Sequence, residues 1–176
     1  MPWLSGEVSA RGTIIDSTHA VFRYEFPIRD LLLRAKFEGD FLALQALTRL
    51  AVSRCNAFFA HKSVLVPVPM TRLRRSLRGF NQAEIIAQEL SRQTATQIEY
   101  RAGRSHFRVA QSKLQRVAER KTNVRGAFEF NGDLMGQSCV VVDDIVTTGA
   151  TAAELARTLK QAGASAVHLW VCAATV

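Results

Sequence analysis

The sequence predicts an α/β fold: a mainly parallel central sheet flanked by helices, preceded by a helical preface. Three observations predict it. Short apolar runs at residues 64–66, 139–142 and 166–173 have the length and bounding residues of buried strands. Stretches of helical spacing follow them, one carrying Ala83, Ile86, Ala87 and Leu90 and another Ala152, Leu155, Ala156 and Leu159. Strands that alternate with helices are the pattern of a parallel sheet with helices packed on it.

Taken in order, residues 1–20 hold Gly, Ser and Thr with weak periodicity and read as a loose arm or a short strand. Pro27 suits the first position of a helix, and Ile28, Leu31, Leu32 and Ala35 follow at helical spacing. Gly39 interrupts, and Asp40 is placed to cap a second helix whose stripe is Leu44, Leu47, Leu50 and Ala51, continuing to Cys55 and Phe58. These segments make an N-terminal arm and helical preface, residues 1–61, ahead of a core at residues 62–176. The core opens with the strand at 64–66, which stops at Pro67 and Pro69. The basic segment TRLRRSLRG reads as a loop, and the next helix begins after Gly79. Residues 97–100 are a second strand. Residues 101–125 are polar and basic, with a short helix around 112–119. Residues 127–130 alternate like a strand, and Asn131-Gly132 is a turn signal. Whether residues 128–142 make an antiparallel excursion or a simple connection stays open. Gly163 ends the last helix, and the last strand follows.

The 176 residues suit one domain, with room for a small extra lobe, and an apolar content of 48% is ample for a core. The formal charge of +8 points to anionic partners, although a generally basic surface meets the same number. Cys55, Cys139 and Cys172 are far apart and form no CxxC pair, so no zinc is expected. Free thiols fit a reducing compartment. No apolar run is long enough to span a bilayer, and MPWLSGEVSARG lacks the layout of a leader, so a cytoplasmic protein with no membrane insertion is expected.

The chemistry concentrates at residues 139–151, CVVVDDIVTTGAT. A buried strand ends in Asp143 and Asp144. Thr147, Thr148 and Gly149 make a tight loop, and a helix starts at Ala150. Ligands of open α/β sheets bind outside the carboxyl ends of strands. Small residues let backbone N–H groups turn inward, and the first free N–H groups of the helix add the positive end of its dipole. Thr147, Thr148 and Thr151 supply hydroxyls, and Gly149 permits a positive φ. A carboxylate only accepts hydrogen bonds, which suits paired ribose hydroxyls. An ordinary strand-to-helix turn explains two adjacent acids poorly, because like charges repel unless solvent, metal or ligand compensates. Neither GxxxxGK[ST] nor GxGxxG is present. Upstream, Arg72, Arg74, Arg75 and Arg78 are clustered as a pyrophosphate site requires, or as a solvated basic turn.

The run at 139–151 resembles the signature by which type I phosphoribosyltransferases bind phosphoribosyl pyrophosphate (PRPP). With LVPVP, RGFNQAE at residues 78–84, and the dispersed Gln111, Leu114, Arg120, Asn123 and Ala127-Phe128, the chain resembles the ComF/GntX competence-protein family over about residues 22–175. Many members begin with a zinc ribbon, absent from this sequence, so a short form or a shortened N-terminus is expected. The resemblance implies a type I phosphoribosyltransferase-like core. Thr147 to Thr151, including Ala150, would take the 5′-phosphate. Asp143 and Asp144 would be the catalytic pair and would meet Mg²⁺ through water. The four arginines would take pyrophosphate. Residues 104–125 would be a flexible hood carrying Arg104, Arg108, Lys113, Arg116 and Arg120. Purine-salvage members place an acid where Thr147 stands, so a purine deprotonated there is not supported and the nucleophile is open. The implied activity is phosphoribosyl transfer, a glycosyltransferase reaction, linked to competence and DNA uptake. A non-catalytic PRPP or nucleotide sensor and a basic accessory binding single-stranded DNA within the competence machinery are the alternatives. Association as a homodimer is open.

Overall fold

The computed structural model describes the backbone of residues 3–7 and, in full, residues 14–53, 63–104 and 126–175. Strands β1 (Trp3–Glu7) and β2 (Ser17–Arg23) come first, then helices α1 (Ile28–Phe37) and α2 (Phe41–Val52). Strand β3 (Ser63–Pro67) leads to α3 (Arg72–Arg78) and α4 (Gln82–Thr94). Three short strands follow, β4 (Gln97–Ile98), β5 (Ala102–Arg104) and β6 (Phe128–Phe130). Strand β7 (Ser138–Val146), helix α5 (Ala150–Gln161) and strand β8 (Ala166–Ala174) close the described chain.

The main sheet has the order β1-β2-β8-β7-β3-β4, parallel throughout except for the antiparallel edge pair β1–β2. This is the α/β architecture that the alternating pattern predicts. Two apolar clusters lie on its two faces. One gathers Leu32, Leu44, Leu47, Ile86, Leu90 and Trp170 under α1, α2 and α4. The other gathers Leu134, Leu155, Leu159, Val167 and Leu169 under α5. Side chains alternate across a strand, so Val140 and Val142 face the first cluster while Cys139 and Val141 face the second.

One element differs from its sequence reading, and two others settle what that reading left open. Residues 17–23, read as part of a loose arm or short strand, form β2, which pairs with β8 along its length from Ser17↔His168 to Arg23↔Ala174. Its opening polar residues are satisfied across the strands. Ser17 Oγ lies 2.7 Å from His168 Nδ1, and Asp16 Oδ2 accepts from the Val167 N–H at 2.7 Å. The arginine-bearing loop is a helix, α3, capped by the Thr71 hydroxyl accepting from the Arg74 N–H. Residues 128–130 pair with neither β7 nor the main sheet: β6 joins β5 in a separate antiparallel ribbon. The capping reading of Asp40 holds, since it accepts from the Ala43 N–H, while Pro27, read as the first helical position, stands one residue earlier, at the N-cap of α1. Cys139 and Cys172 are buried core thiols, and burial pushes Cys139 up to about 11.

Candidate functional site

Strand β7 outruns its neighbour. It pairs with β3 only as far as Pro67↔Val142, with a last bond from the Val68 N–H to the Val142 carbonyl, 2.9 Å. It then continues against β8 alone through Asp143↔Val171, Ile145↔Ala173 and Val146↔Ala174. The sequence reading stopped this strand at Val142, where the apolar run ends. In the structure the ladder with β8 carries it four residues further, so the acidic pair lies within the strand. Beyond Pro67 the β3 side of β7 has no strand partner, and there a cavity of about 300 Å³ opens. Asp143, Asp144, Ile145, Thr147 and Thr151 line one side of it, and Arg74, Arg78 and Arg104 also line it.

The two aspartates are held by short local bonds. Asp143 Oδ1 accepts from the Asp144 N–H and Asp144 Oδ1 from the Ile145 N–H, both at 2.9 Å. Both are half-buried, and neither makes an ion pair among the described residues. Burial first, and the Asp144 charge second, push the Asp143 carboxyl well above its ordinary range; Lys36 opposes this. A carboxylate so destabilised is poised to accept from hydroxyl donors or to face a cation.

The loop is only Thr147, Thr148 and Gly149. Gly149 takes φ +71°, a left-handed conformation that aims the chain into α5. The Thr148 hydroxyl accepts from the Ala150 N–H at 3.4 Å. The N-cap residue, Gly149, has no side chain to cap α5, so beyond the Ala150 N–H the first turn has no side-chain acceptor from its own cap. Thr147 and Thr151 reach the cavity. Thr148, Gly149 and Ala150 are not in its lining and form the backbone of the turn. Behind the turn, Ala152, Leu155, Ala156 and Leu159 lock α5 to the sheet.

The four upstream arginines divide. Arg74 and Arg78 line the cavity of the aspartates, whereas Arg72 and Arg75 line a neighbouring one of about 460 Å³. Arg75 is engaged in an ion pair with Glu84. Helical phase separates them, since residues four apart share a face. Arg104 stands at the boundary and lines both cavities. Its Nε donates to the Pro69 carbonyl at 3.2 Å, and its guanidinium lies 4.7 Å from the Phe128 ring centre. Burial depresses Arg104, nearby Arg74 depresses it further, and Asp143 opposes this. Arg108, Lys113, Arg116 and Arg120 lie outside the described residues.

Sequence reasoning missed how RGFNQAE works. Gly79 ends α3 and Asn81 starts α4. Buried Asn81 accepts from the Ala83 N–H and donates from Nδ2 to the Val68 carbonyl at 3.0 Å and to Glu84 at 3.2 Å. It thus pins the point where β3 leaves the sheet. An Asn before a helical stripe is a capping signal and could have revealed this. Tyr24 and Lys36 also line the cavity; in the sequence they belong to the ComF/GntX resemblance of the helical preface, without a role assigned to them.

Comparison with known proteins agrees with this fold. Residues 41–175 match the phosphoribosyl transferase domain family. The DNA utilization protein YhgH of Escherichia coli K12 is 32% identical over 87% of this chain and 70% of its own length. Competence protein F of Haemophilus influenzae is 27% identical over 88% and 71%, and competence protein ComFC of Bacillus subtilis 28% over 87% and 62%. Among solved structures, the glutamine PRPP amidotransferase of B. subtilis, complexed with ADP and GMP, superposes with a TM-score of 0.52 at 21% identity. That likeness covers 73% of this chain but only 26% of the enzyme, and it concerns the fold. With its family match spanning most of the chain and its relatives aligned over nearly all of it, this protein belongs to the phosphoribosyl transferase domain family, in the ComF-type group of competence proteins.

Proposed function

We propose that the chain binds PRPP in the cavity beside β7, and that it transfers the phosphoribosyl group to a nucleophile still to be identified. The observation that carries this reading is the outrunning of β3 by β7, beyond which two aspartates, residues of the turn and three arginines line one cavity. The 5′-phosphate would sit at the start of α5 against Thr147, Thr151 and the turn's N–H groups. Asp143 and Asp144 would accept from the ribose hydroxyls. Arg74, Arg78 and Arg104 would take the pyrophosphate.

In the transfer, the nucleophile bonds to C1′ as the bond from C1′ to pyrophosphate breaks, and the bonding pair leaves with the pyrophosphate. The ring gains positive charge and the leaving group negative charge. The aspartates and arginines are distributed to meet the two, so the chain's contribution is positioning and electrostatics. The donor set fits Mg²⁺: two adjacent carboxylates, one destabilised, with no group of three or more potential ligand side chains among the described residues. Mg²⁺ keeps several waters and is commonly shared with substrate phosphates, and when bound it supplies charge to the pyrophosphate.

Thr147, at the position of a salvage-type acid, favours a second reading: a PRPP sensor without turnover. The names of the relatives suggest a role in handling DNA during uptake. Among the described residues no helix is long and apolar enough to cross a membrane. Calorimetry with PRPP and Mg²⁺ tests the site: binding heat and thermal stabilisation are expected, and absence of both overturns the proposal. Pyrophosphate release across a panel of bases then separates transferase from sensor.

A further inference from the structure

Buried polar groups of a folded chain are nearly always hydrogen-bonded, and one without a partner asks for an explanation. The amide nitrogen of Gln82 is such a group: the residue is 3% exposed, and its Nε2 meets no acceptor among the described residues. Three buried hydroxyls share that condition, those of Thr48, Ser63 and Ser138, but none of these residues lines the cavity of the aspartates, and Gln82 does. Gln82 is the first residue of α4, and with Ile86 and Leu90 it lies in the buried stripe of that helix. An apolar side chain at this position would bury no donor at all. The preceding residue shows the contrast. Asn81 Nδ2 has two acceptors, the Val68 carbonyl and Glu84, and Asn81 Oδ1 accepts from the Ala83 N–H.

Gln82 lines the cavity from the α3–α4 side, with Arg74 and Arg78, while the aspartates and threonines line it from β7 and α5. The two arginines bring charge on long side chains from a helix that buries no residue. Gln82 brings a neutral donor from a helix whose buried face fixes it to the sheet. We infer that Gln82 is a specificity-determining residue of this cavity: its Nε2 donates to a phosphate oxygen of the diphosphate arm, and so separates a ribose 5-phosphate that carries pyrophosphate at C1′ from one that does not. The inference deepens the PRPP reading by naming what tells that ligand from its hydrolysed form, and it rests on that reading. A donor already bonded within the fold gains nothing from a ligand. An unpaired one regains its hydrogen bond only when an acceptor enters, so its contribution falls on binding and not on folding.

Titrations of the full chain with PRPP and with ribose 5-phosphate, both in Mg²⁺, test the assignment. Gln82→Met keeps the reach of the side chain and removes the amide. It should weaken PRPP about tenfold, the usual worth of a hydrogen bond to a charged acceptor, and move ribose 5-phosphate by less than about twofold. The ligand-free Tm of Gln82→Met should equal or exceed that of the parent, because an unsatisfied donor has gone. Gln82→Glu, nearly the same shape, sets a carboxylate against the pyrophosphate and should weaken PRPP further. The ratio of the two affinities reads the diphosphate alone, so partial unfolding does not imitate this result. PRPP affinity retained in Gln82→Met or in Gln82→Glu refutes the donor while the PRPP site stands. Both ligands weakened alike, with a lower ligand-free Tm, would make Gln82 a structural residue and refute it equally. If the parent binds neither ligand, the PRPP site itself falls and the role of Gln82 with it.

Discussion

The cavity is bounded by two strand–turn–helix units built in opposite ways. The β7–α5 unit turns in three residues, and α5 buries Ala152, Leu155, Ala156 and Leu159 against the sheet. The β3–α3 unit leads into a helix with no buried residue, whose Leu73 and Leu77 face solvent. It is held by the Thr71 cap, Gly79 and the Arg75–Glu84 pair. The first unit presents backbone N–H groups, which the fold itself orients. The second presents long side chains, which orient on what they meet. On the proposed reading the contrast separates a preformed phosphate cradle from an adjustable cationic arm, and α3, which buries no residue, is the element least tied to the core.

The hardest test falls on the aspartates of the preformed unit. The double change Asp143→Asn, Asp144→Asn should lower PRPP affinity by about 100-fold or more, as two charge-assisted acceptors are lost. Ligand-free stability should move the other way. The Asp143 carboxyl is raised in the fold, so its contribution to stability is present below its unfolded value and is lost as pH climbs through the folded one. Above its unfolded value the fold therefore carries a cost for this carboxyl, and Asn, which needs no ionisation, should raise Tm, by about 3 °C for roughly 1 kcal/mol. Binding retained in the double variant would dismantle the cradle; a drop in Tm would show the aspartates to be structural.

Gly149→Ala ranks next. The new Cβ would meet only Val146 Cγ2, at 3.9 Å, so its cost comes from φ +71° rather than from space. About 1–2 kcal/mol is expected, read as a lower Tm, together with weaker ribose 5-phosphate binding. Gly79→Ala imposes the same kind of strain at φ +78° on α3, also with nothing nearby. Because α3 buries nothing, local unravelling should relieve that strain, and the Tm change should be smaller. Equal losses at both glycines would erase the distinction between the two units.

The same contrast explains what the sequence disclosed. The strand–turn–helix of β7 and α5 was legible because its signal is local: an apolar run, two acids, small residues and a helix start within residues 139–151. The division of the arginines was not, because it depends on α3 being helical, which puts Arg74 and Arg78 on one face and leaves Arg75 to Glu84. The β2 strand stayed undecided against a loose arm because of its polar opening, Ser17, Thr18 and His19, whose place becomes clear only beside β8. The extension of β7 past Val142 was hidden because apolar content, rather than ladder partners, marked its end. Of the hood, only Arg104 falls on a described residue, and it lies on a three-residue strand too short to show a period.

Arginine substitutions sharpen the adjustable side. Arg74→Ala and Arg78→Ala should each weaken PRPP about tenfold, the usual worth of one charge-assisted hydrogen bond. Arg72→Ala should change it less than about twofold. A large loss at Arg72 in isothermal titration would mean that α3 rotates on binding, turning its other face to the cavity.

The smallest effect tests how firmly the far end of α5 is anchored. Asp16 joins Lys160 of α5, 2.9 Å away, to the start of β8 through the Val167 N–H. Burial alone would raise this carboxyl, but Lys160 and the Val167 N–H outweigh it and hold it below its ordinary value. A lowered carboxyl contributes stability above its unfolded pKa and loses it as pH falls through the folded one. Asp16→Asn should therefore cost about 0.5 kcal/mol at pH 7, discounted because Asp16 is substantially exposed, and the deficit should shrink below about pH 4. Denaturant melts of the two proteins at pH 7 and pH 3.5 read this directly. A deficit that persists unchanged in acid would assign the anchoring to the shape of the turn rather than to the charge, and α5 would then owe its fixed position to its buried face alone.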